Sequence, residues 1–171
     1  MRKFILVFIL SLNLFGADEL KFKSLIGEFT QTITSQDQKI IYTGSLAIDS
    51  DFGAFWQYNT PMQKLIYFSN NQVIIIEPEL EQAIITNLKS SPDITKILKN
   101  AKKLSDDNFQ AVYEDVVYDI ITQNSLPKLI AYEDKLGNKA IIEFTQISKD
   151  KIISKDILTP QIPSNYDIIS N

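Results

Sequence analysis

Short segments in which apolar and polar residues alternate recur along most of this 171-residue chain, and they limit its fold more than any other feature. Between Ile40 and Ile48 the even positions carry Ile, Tyr, Gly, Leu and Ile, and the odd positions after Ile41 are smaller or more polar. Successive side chains of a β-strand point to opposite faces, so this pattern predicts a strand with one buried face.

Ten further segments show strand signals, several of them separated by turn residues at Asn70-Asn71, Gly137-Asn138 and Ser148-Lys149-Asp150. Many short strands at fairly even spacing are typical of an antiparallel sheet or barrel. The sequence therefore predicts a mainly β (α+β) fold of about eleven strands, at residues 29–34, 40–48, 55–58, 64–68, 72–76, 82–85, 109–113, 116–122, 128–133, 139–145 and 151–158.

Two of these segments are apolar without interruption, at residues 65–68 and 73–76. A strand that is apolar on both faces must be covered on both sides. Two arrangements satisfy this requirement: a sheet that curls tightly around a packed interior, or a sheet with one face lining an apolar cavity that helices or a ligand fill.

One helix is predicted over residues 91–103. Ser91 is a favourable N-cap residue, Pro92 suits the first helical position, and Asp93 suits the helix dipole. The apolar positions repeat at helical spacing, which gives the helix one apolar face; they are Ile94, Ile97, Leu98 and Ala101. Core packing and a lid over a cavity are both compatible with that face. A second, shorter helix is predicted from Asp18 to about Leu25.

The first seventeen residues have the composition of a secretory signal peptide. Arg2 and Lys3 begin it, residues 4–10 are apolar, and small residues lead to a cleavage site near Ala17. The apolar run is too short to span a bilayer, and a retained N-terminal membrane anchor is the alternative. We predict removal of residues 1–17, a single domain over residues 18–171, and a location in the periplasm.

Composition excludes several classes of function. Loss of Arg2 and Lys3 changes the net charge from −4 to −6, because 21 acidic residues then face 15 basic ones instead of 17. An acidic chain without a basic run binds nucleic acid poorly. Histidine and cysteine are absent, which removes the commonest general base and the soft metal ligands. The acidic clusters fit solvated turns, so we predict no enzyme activity, metal or cofactor.

Four short motifs follow one another along nearly all of the mature chain. They are Ile26-Gly27-Glu28-Phe29-Thr30-Gln31; Gly44-Ser45-Leu46 followed by Phe55-Trp56-Gln57-Tyr58 and Pro61; Glu77-Pro78-Glu79-Leu80-Glu81-Gln82; and Ile162-Pro163-Ser164-Asn165-Tyr166-Asp167-Ile168-Ile169. They resemble the G-x-F-x-Q, G-x-L…F-x-W-x-x-x-x-P, (D/N)-P-x-x-x-Q and P-x-G-x-D-V-I motifs of the periplasmic outer-membrane lipoprotein carrier (LolA) family, although the phenylalanine here directly precedes the tryptophan.

This resemblance implies a half-open β-barrel whose mouth is plugged by helices. It also implies a monomeric carrier that receives acylated lipoproteins from an inner-membrane ABC lipoprotein-release transporter and delivers them to an acceptor at the outer membrane. Core packing is the alternative for each expected site residue. The residues expected to line the acyl-chain cavity are Phe29, Leu46, Ile48, Trp56, Ile66, Phe68, Ile74 and Ile76, and those expected in the plug are Ile94, Ile97 and Leu98.

One position departs from the family pattern. Many members carry an Arg-Pro pair before the tryptophan strand, and that arginine latches the lid; alignment on Gly44 and Trp56 puts Ser50 and Asp51 there. A guanidinium offers five donors and a serine hydroxyl one, so the same latch cannot form. Apolar contacts or another polar group must hold the lid. Two rival functions stay open: an envelope lipid-sensing or regulatory half-barrel, and a small secreted enzyme that uses carboxylates.

Overall fold

The computed structural model describes residues 20, 22–36, 38–69, 72–87 and 94–170. The predicted signal segment, the turn at Asn70-Asn71 and the predicted helix start at Ser91, Pro92 and Asp93 lie outside these residues. The described part contains β1 (Ser24–Ser35), β2 (Gln38–Asp49), β3 (Gly53–Thr60), β4 (Lys64–Phe68), β5 (Gln72–Glu77), β6 (Gln82–Asn87), α1 (Ile94–Lys99), β7 (Lys102–Ser105), β8 (Asn108–Tyr113), β9 (Val116–Gln123), β10 (Leu126–Glu133), β11 (Lys139–Lys149), α2 (Lys155–Leu158) and β12 (Asp167–Ser170).

The strands form one open sheet in the order β12-β6-β5-β4-β3-β2-β1-β11-β10-β9-β8-β7. Neighbours are antiparallel, except that β12 pairs parallel with β6. Strand β1 joins two runs of sequential strands, because it pairs with β2 on one side and β11 on the other. The predicted half-open, mainly β fold is confirmed, with twelve strands in the described residues instead of about eleven.

Four boundaries predicted from the sequence are wrong. Residues 151–158 do not form a strand, because 151–154 are irregular and α2 follows. The α1 helix ends at Lys99, and Lys102 and Lys103 belong to the exposed edge strand β7. Leu25 lies in β1, and β11 continues to Lys149 through the predicted turn. At Leu25, Lys149, Lys102 and Lys103, sheet pairing, a tertiary contact, overrides local propensity.

The inner face of the sheet carries the main hydrophobic core. Buried residues from both halves of the sheet pack together with α1 and form a single cluster. Strands β5 and β9 are seven places apart in the sheet, yet both contribute to one cavity. The sheet is therefore curled around its inner face, with α1 packed inside the curl.

The outer face of β3 to β6 is covered by a different part of the chain. Tyr67, Ile76 and Ala83 form a second buried cluster, against which Ile162 and Tyr166 pack from the segment before β12. The two uninterrupted apolar strands, β4 and β5, are thus covered on both sides. This cover is what their composition requires.

Gly44 is required by close packing within the sheet. It lies opposite Phe29 in the β1–β2 pair, and a shift in register falls beside it in the β2–β3 pair. A Cβ atom at this position would overlap the Gln57 carbonyl oxygen and lie 2.7 Å from the Phe29 ring. Only glycine allows the Phe29 ring to lie across the strand here.

We predict that Gly44→Ala lowers the free energy of unfolding by about 1–3 kcal/mol, since the added methyl group forces the strand backbone or the Phe29 ring to move. Urea unfolding of the purified protein measures this change. Ser45→Ala is the matched control, because Ser45 is half-buried on the opposite face. Equal urea midpoints for the two variants would contradict the packing argument.

Candidate ligand cavity

A mainly apolar cavity of about 230 Å³ lies inside the curl of the sheet. Strands of both sequential runs supply its walls together with β1, and α1 covers it. A concave apolar wall with a small number of polar groups is typical of a ligand site. The lining residues are Gln31, Trp56, Tyr58, Ile66, Phe68, Val73, Ile75, Ile94, Ile97, Tyr118, Tyr132 and Ile142.

Strand register explains which residues of β3, β4 and β5 face the cavity. Directly paired residues of antiparallel strands point to the same face. Trp56 pairs with Ile66, which pairs with Ile75. Phe68 pairs with Val73 in the same way. These five side chains therefore lie side by side on the cavity wall.

The predicted cavity positions of Ile74 and Ile76 are wrong. Ile74 pairs with Tyr67 and Ile76 with Leu65, and all four belong to the cluster on the outer face. Four consecutive aliphatic residues give no polar marker of which face is inward, so a shift by one residue cannot be detected from the pattern. Val73 and Ile75 occupy the cavity wall instead.

The other predicted cavity residues divide between wall and core. Trp56, Ile66 and Phe68 line the cavity. Phe29, Leu46 and Ile48 are buried in the main hydrophobic core together with Trp56, but they do not line the cavity. They pack in the same core as the residues of the cavity wall. The Phe29 and Trp56 rings, for example, have centroids 4.7 Å apart. Contact of any of these residues with an acyl chain stays a prediction.

The α1 helix occupies the position expected of the lid. Ile94 and Ile97 line the cavity, and Leu98, which is 0% exposed, packs into the adjoining core. Lys96 and Lys99 are exposed on the other side of the helix. The amphipathic pattern read from the sequence thus gives the correct inward face for this helix.

A lysine of α1 contacts the position where the family arginine is replaced. Lys99 Nζ lies 3.1 Å from the Ser50 carbonyl oxygen and donates a hydrogen bond to it. The Ser50 side chain is not part of this link, since its hydroxyl donates to Asp51 Oδ1 at 3.3 Å. The polar donor is therefore on the helix, and the acceptor is backbone of the β2–β3 turn.

Buried polar side chains interrupt the apolar wall at one place. Tyr58 donates its hydroxyl hydrogen to Gln31 Oε1 at 2.9 Å, and Tyr132 lines the same cavity. Burial raises the pKa of Tyr58 and Tyr132 above the usual value, and burial together with neighbouring Tyr132 raises the pKa of Tyr118 to about 12. These hydroxyls are therefore neutral hydrogen-bond donors at neutral pH.

Sequence reasoning missed several lining residues. The residues missed on β9, β10 and β11 belong to no recognised motif. Which of their side chains face the cavity depends on the pairing of β1 with β11. A signal for Gln31 was available: it is a polar residue on an otherwise apolar strand face, and such residues are buried only with partners. The residues missed as site residues are Gln31, Tyr58, Val73, Ile75, Tyr118, Tyr132 and Ile142.

Neither a metal centre nor a membrane-spanning helix is found in the described part of the chain. No three or more acidic side chains there are grouped so as to hold a metal ion. No helix in the same residues is long and apolar enough to cross a membrane.

A curled open sheet, an internal apolar cavity and a helix that covers it define the class of half-open β-barrel cavity proteins. A family model described as outer membrane lipoprotein carrier protein LolA matches residues 20–125. The chain belongs to this family.

Two relatives support the assignment across nearly the whole chain. An outer-membrane lipoprotein carrier protein from Campylobacter jejuni is 33% identical over 169 residues, which covers 99% of this chain and 99% of that one. A protein of the same name from Wolinella succinogenes is 34% identical over 161 residues, covering 91% of this chain and 94% of that one.

Solved structures show the same fold at low sequence identity. A LolA superfamily protein from Nitrosomonas europaea superposes with a TM-score of 0.51 and 12% identity, covering 84% of this chain and 94% of that one. An uncharacterized conserved protein from Thermus thermophilus gives a TM-score of 0.55 and 6% identity, covering 89% of this chain and 93% of that one. At such identities the likeness concerns the fold alone.

We predict that Lys99→Met increases hydrogen exchange of the α1 backbone amides about threefold, because it removes the hydrogen bond between the helix and the β2–β3 turn. Exchange followed by mass spectrometry or NMR measures the effect. Ser50→Ala keeps the accepting carbonyl and should leave exchange unchanged. A larger effect of Ser50→Ala would mean that the serine hydroxyl holds the helix.

We predict that the free energy of unfolding falls as the pH rises above about 10. In the unfolded chain the tyrosines ionise there, whereas Tyr58 and Tyr118 stay protonated in the folded protein to higher pH, so stability that is fully present below pH 10 is lost. Urea unfolding at pH 9 and 11 tests this, with a smaller decline expected for the Tyr58→Phe/Tyr118→Phe double variant. Identical declines would exclude these two groups as the cause.

Proposed function

We propose that this protein is a periplasmic carrier that moves lipoproteins from the inner to the outer membrane by sheltering their acyl chains in the cavity beneath α1. The observation that carries the proposal is this cavity: an apolar wall of Trp56, Ile66, Phe68, Val73 and Ile75, closed by an amphipathic helix. Membership of the lipoprotein carrier family supports the same ligand class.

The energetics favour a cavity that its own helix partly fills. Each buried methylene group contributes roughly 0.8 kcal/mol, so burying one whole acyl chain contributes on the order of ten. A carrier that bound its cargo with the whole of this free energy would release it too slowly. Ile94, Ile97 and Leu98 pack into the core on the inner face of the sheet, and their displacement by the acyl chain would offset much of the gain.

Cargo and helix then compete for one apolar surface, so a modest difference in affinity moves the population from closed to loaded. The weak polar link from Lys99 to the Ser50 carbonyl fits this balance. An exposed hydrogen bond of this kind contributes little free energy. The lid is accordingly held mainly by apolar contacts that an acyl chain can replace.

The proposal assigns no reaction to the protein. Acyl chains are bound and released without a covalent step, so neither a catalytic group nor a cofactor is needed. The partners we propose are acylated lipoproteins, an inner-membrane ABC lipoprotein-release transporter and an outer-membrane acceptor. We propose that the protein acts as a monomer. Export follows from the proposed signal peptide at residues 1–17, cleaved near Ala17, which leaves residues 18–171 as a single domain.

We expect the mature protein to bind a synthetic lipopeptide with two palmitoyl chains, and Ile75→Phe to weaken that binding by about tenfold or more, because the larger side chain fills the cavity. Ile74→Phe is the matched control. Ile74 is adjacent to Ile75 in β5 and is also half-buried, but it lies on the outer face. Isothermal titration calorimetry measures both affinities.

Failure of the unmodified protein to bind the lipopeptide would refute the carrier proposal. Equal loss in Ile75→Phe and Ile74→Phe would refute the cavity as the binding site, since a general effect on folding would then explain both. Thermal unfolding of each variant separates a local effect from a global one.

A further inference from the structure

Besides Tyr118, four residues that line the otherwise apolar cavity carry polar side-chain groups: Gln31, Trp56, Tyr58 and Tyr132. We call them the polar cluster. Gln31 is 6% exposed and Trp56 is 5% exposed, so both are effectively removed from solvent. Buried polar groups of this kind are costly unless every one of them has a partner.

Trp56 has a hydrogen-bond donor without an acceptor. Its Nε1 atom is buried, and no described residue accepts a hydrogen bond from it. Its ring neighbours are Phe29, with centroids 4.7 Å apart, and Phe144, with centroids 6.4 Å apart. Neither phenylalanine side chain has a lone pair to offer. An acceptor supplied by a ligand would satisfy this N–H group, which otherwise costs about 1–3 kcal/mol.

The remaining three residues supply one hydrogen bond and one further hydroxyl group. Tyr58 donates to Gln31 Oε1 at 2.9 Å. Tyr132 lines the same cavity and carries a hydroxyl group, which can donate one hydrogen bond. The hydroxyl hydrogen of Tyr132 is therefore a second donor for a ligand in this cavity.

The polar cluster lies where two apolar spaces meet. Gln31 and Tyr58 also line a second cavity of about 260 Å³, together with Ile33, Tyr42 and Met62. A ligand that fills both spaces would have hydrocarbon on each side of the cluster and its polar linkage next to the donors. Branched acyl-glyceryl groups have this arrangement, with carbonyl groups where the chains join.

Charge favours a neutral ligand group at this place. No described residue that lines the main cavity is charged. Lys64 lines the second cavity, but its Nζ atom is paired with Glu77 Oε1 at 2.9 Å. A phosphate or a free carboxylate would be buried there without a counter-ion, which is strongly unfavourable. A carbonyl oxygen needs donors only.

We propose that the polar cluster is a subsite for the ester and amide carbonyl oxygens that join acyl chains to the modified end of a lipoprotein, with Trp56 Nε1 and the Tyr132 hydroxyl as the donors. This inference rests on the proposed carrier function. The subsite sets the depth of the cargo in the cavity and selects acyl esters over free fatty acids and phospholipid head groups.

The test compares two synthetic lipopeptides that differ only in how their two hexadecyl-length chains are attached, by ester bonds or by ether bonds. The ether form keeps the hydrocarbon and lacks the carbonyl acceptors. Calorimetry with the mature protein should show the ester form binding about fivefold to tenfold more tightly. Palmitate should bind more weakly than the ester lipopeptide.

Trp56→Phe and Tyr132→Phe should each reduce the ratio of ester to ether affinity towards one. This ratio is insensitive to a change in cavity size, because lost packing weakens both lipopeptides alike. Tyr67→Phe removes a hydroxyl from the outer-face cluster and is the matched control, which should keep the full preference.

Each outcome decides something different. Equal affinity of the native protein for the two lipopeptides would overturn the carbonyl subsite and leave the carrier function intact. A preference that persists in both Trp56→Phe and Tyr132→Phe would overturn the assignment to these donors. Binding of neither lipopeptide would overturn the carrier function, and the subsite with it.

Discussion

The pairing of β1 with both β2 and β11 is the interaction on which the rest of this structure depends. Strands β2 to β6 and β7 to β11 are each sequential runs, and β1 is the strand that joins them into one sheet. Its hydrogen bonds to β11 connect residues more than a hundred positions apart. Without that junction β5 and β9 would not face each other, and the space between them would be open solvent.

A curled sheet that is not closed leaves an inner surface that the short helix α1 covers. The same surface is apolar enough to pack α1 and, by our proposal, to receive acyl chains. The aromatic residues Phe29, Trp56 and Phe144 keep the wall rigid beneath the lid. The hydrogen-bonded residues Gln31 and Tyr58 form a polar site on this wall. In our proposal, the wall, a helix that cargo displaces and the local donors together allow reversible binding of a branched lipid.

Sequence patterns succeeded where one face of an element is apolar and the other is not. The i, i+3, i+4 spacing of Ile94, Ile97 and Leu98 identified the inward face of α1, although not the end of the helix. Patterns failed where both faces are apolar: in β5 the residues Ile74 and Ile76 were placed inward, whereas pairing with β4 turns them outward. They also failed at edge strand β7, whose four residues are all exposed and so carry no burial signal.

The sequence by itself determined that the chain is rich in strands, that β4 and β5 need cover on both faces, that one amphipathic helix is available, and, through its motifs, which family it resembles. Those properties are encoded in neighbouring residues, where periodicity and composition can be read directly. Only the tertiary structure decided the phase of β5, the place of Lys99 beside the Ser50 carbonyl, and the meeting of Gln31 with Tyr58 and Tyr132. Each of these depends on register between distant strands, and a register shift of one residue reverses the face of every side chain without changing the local pattern.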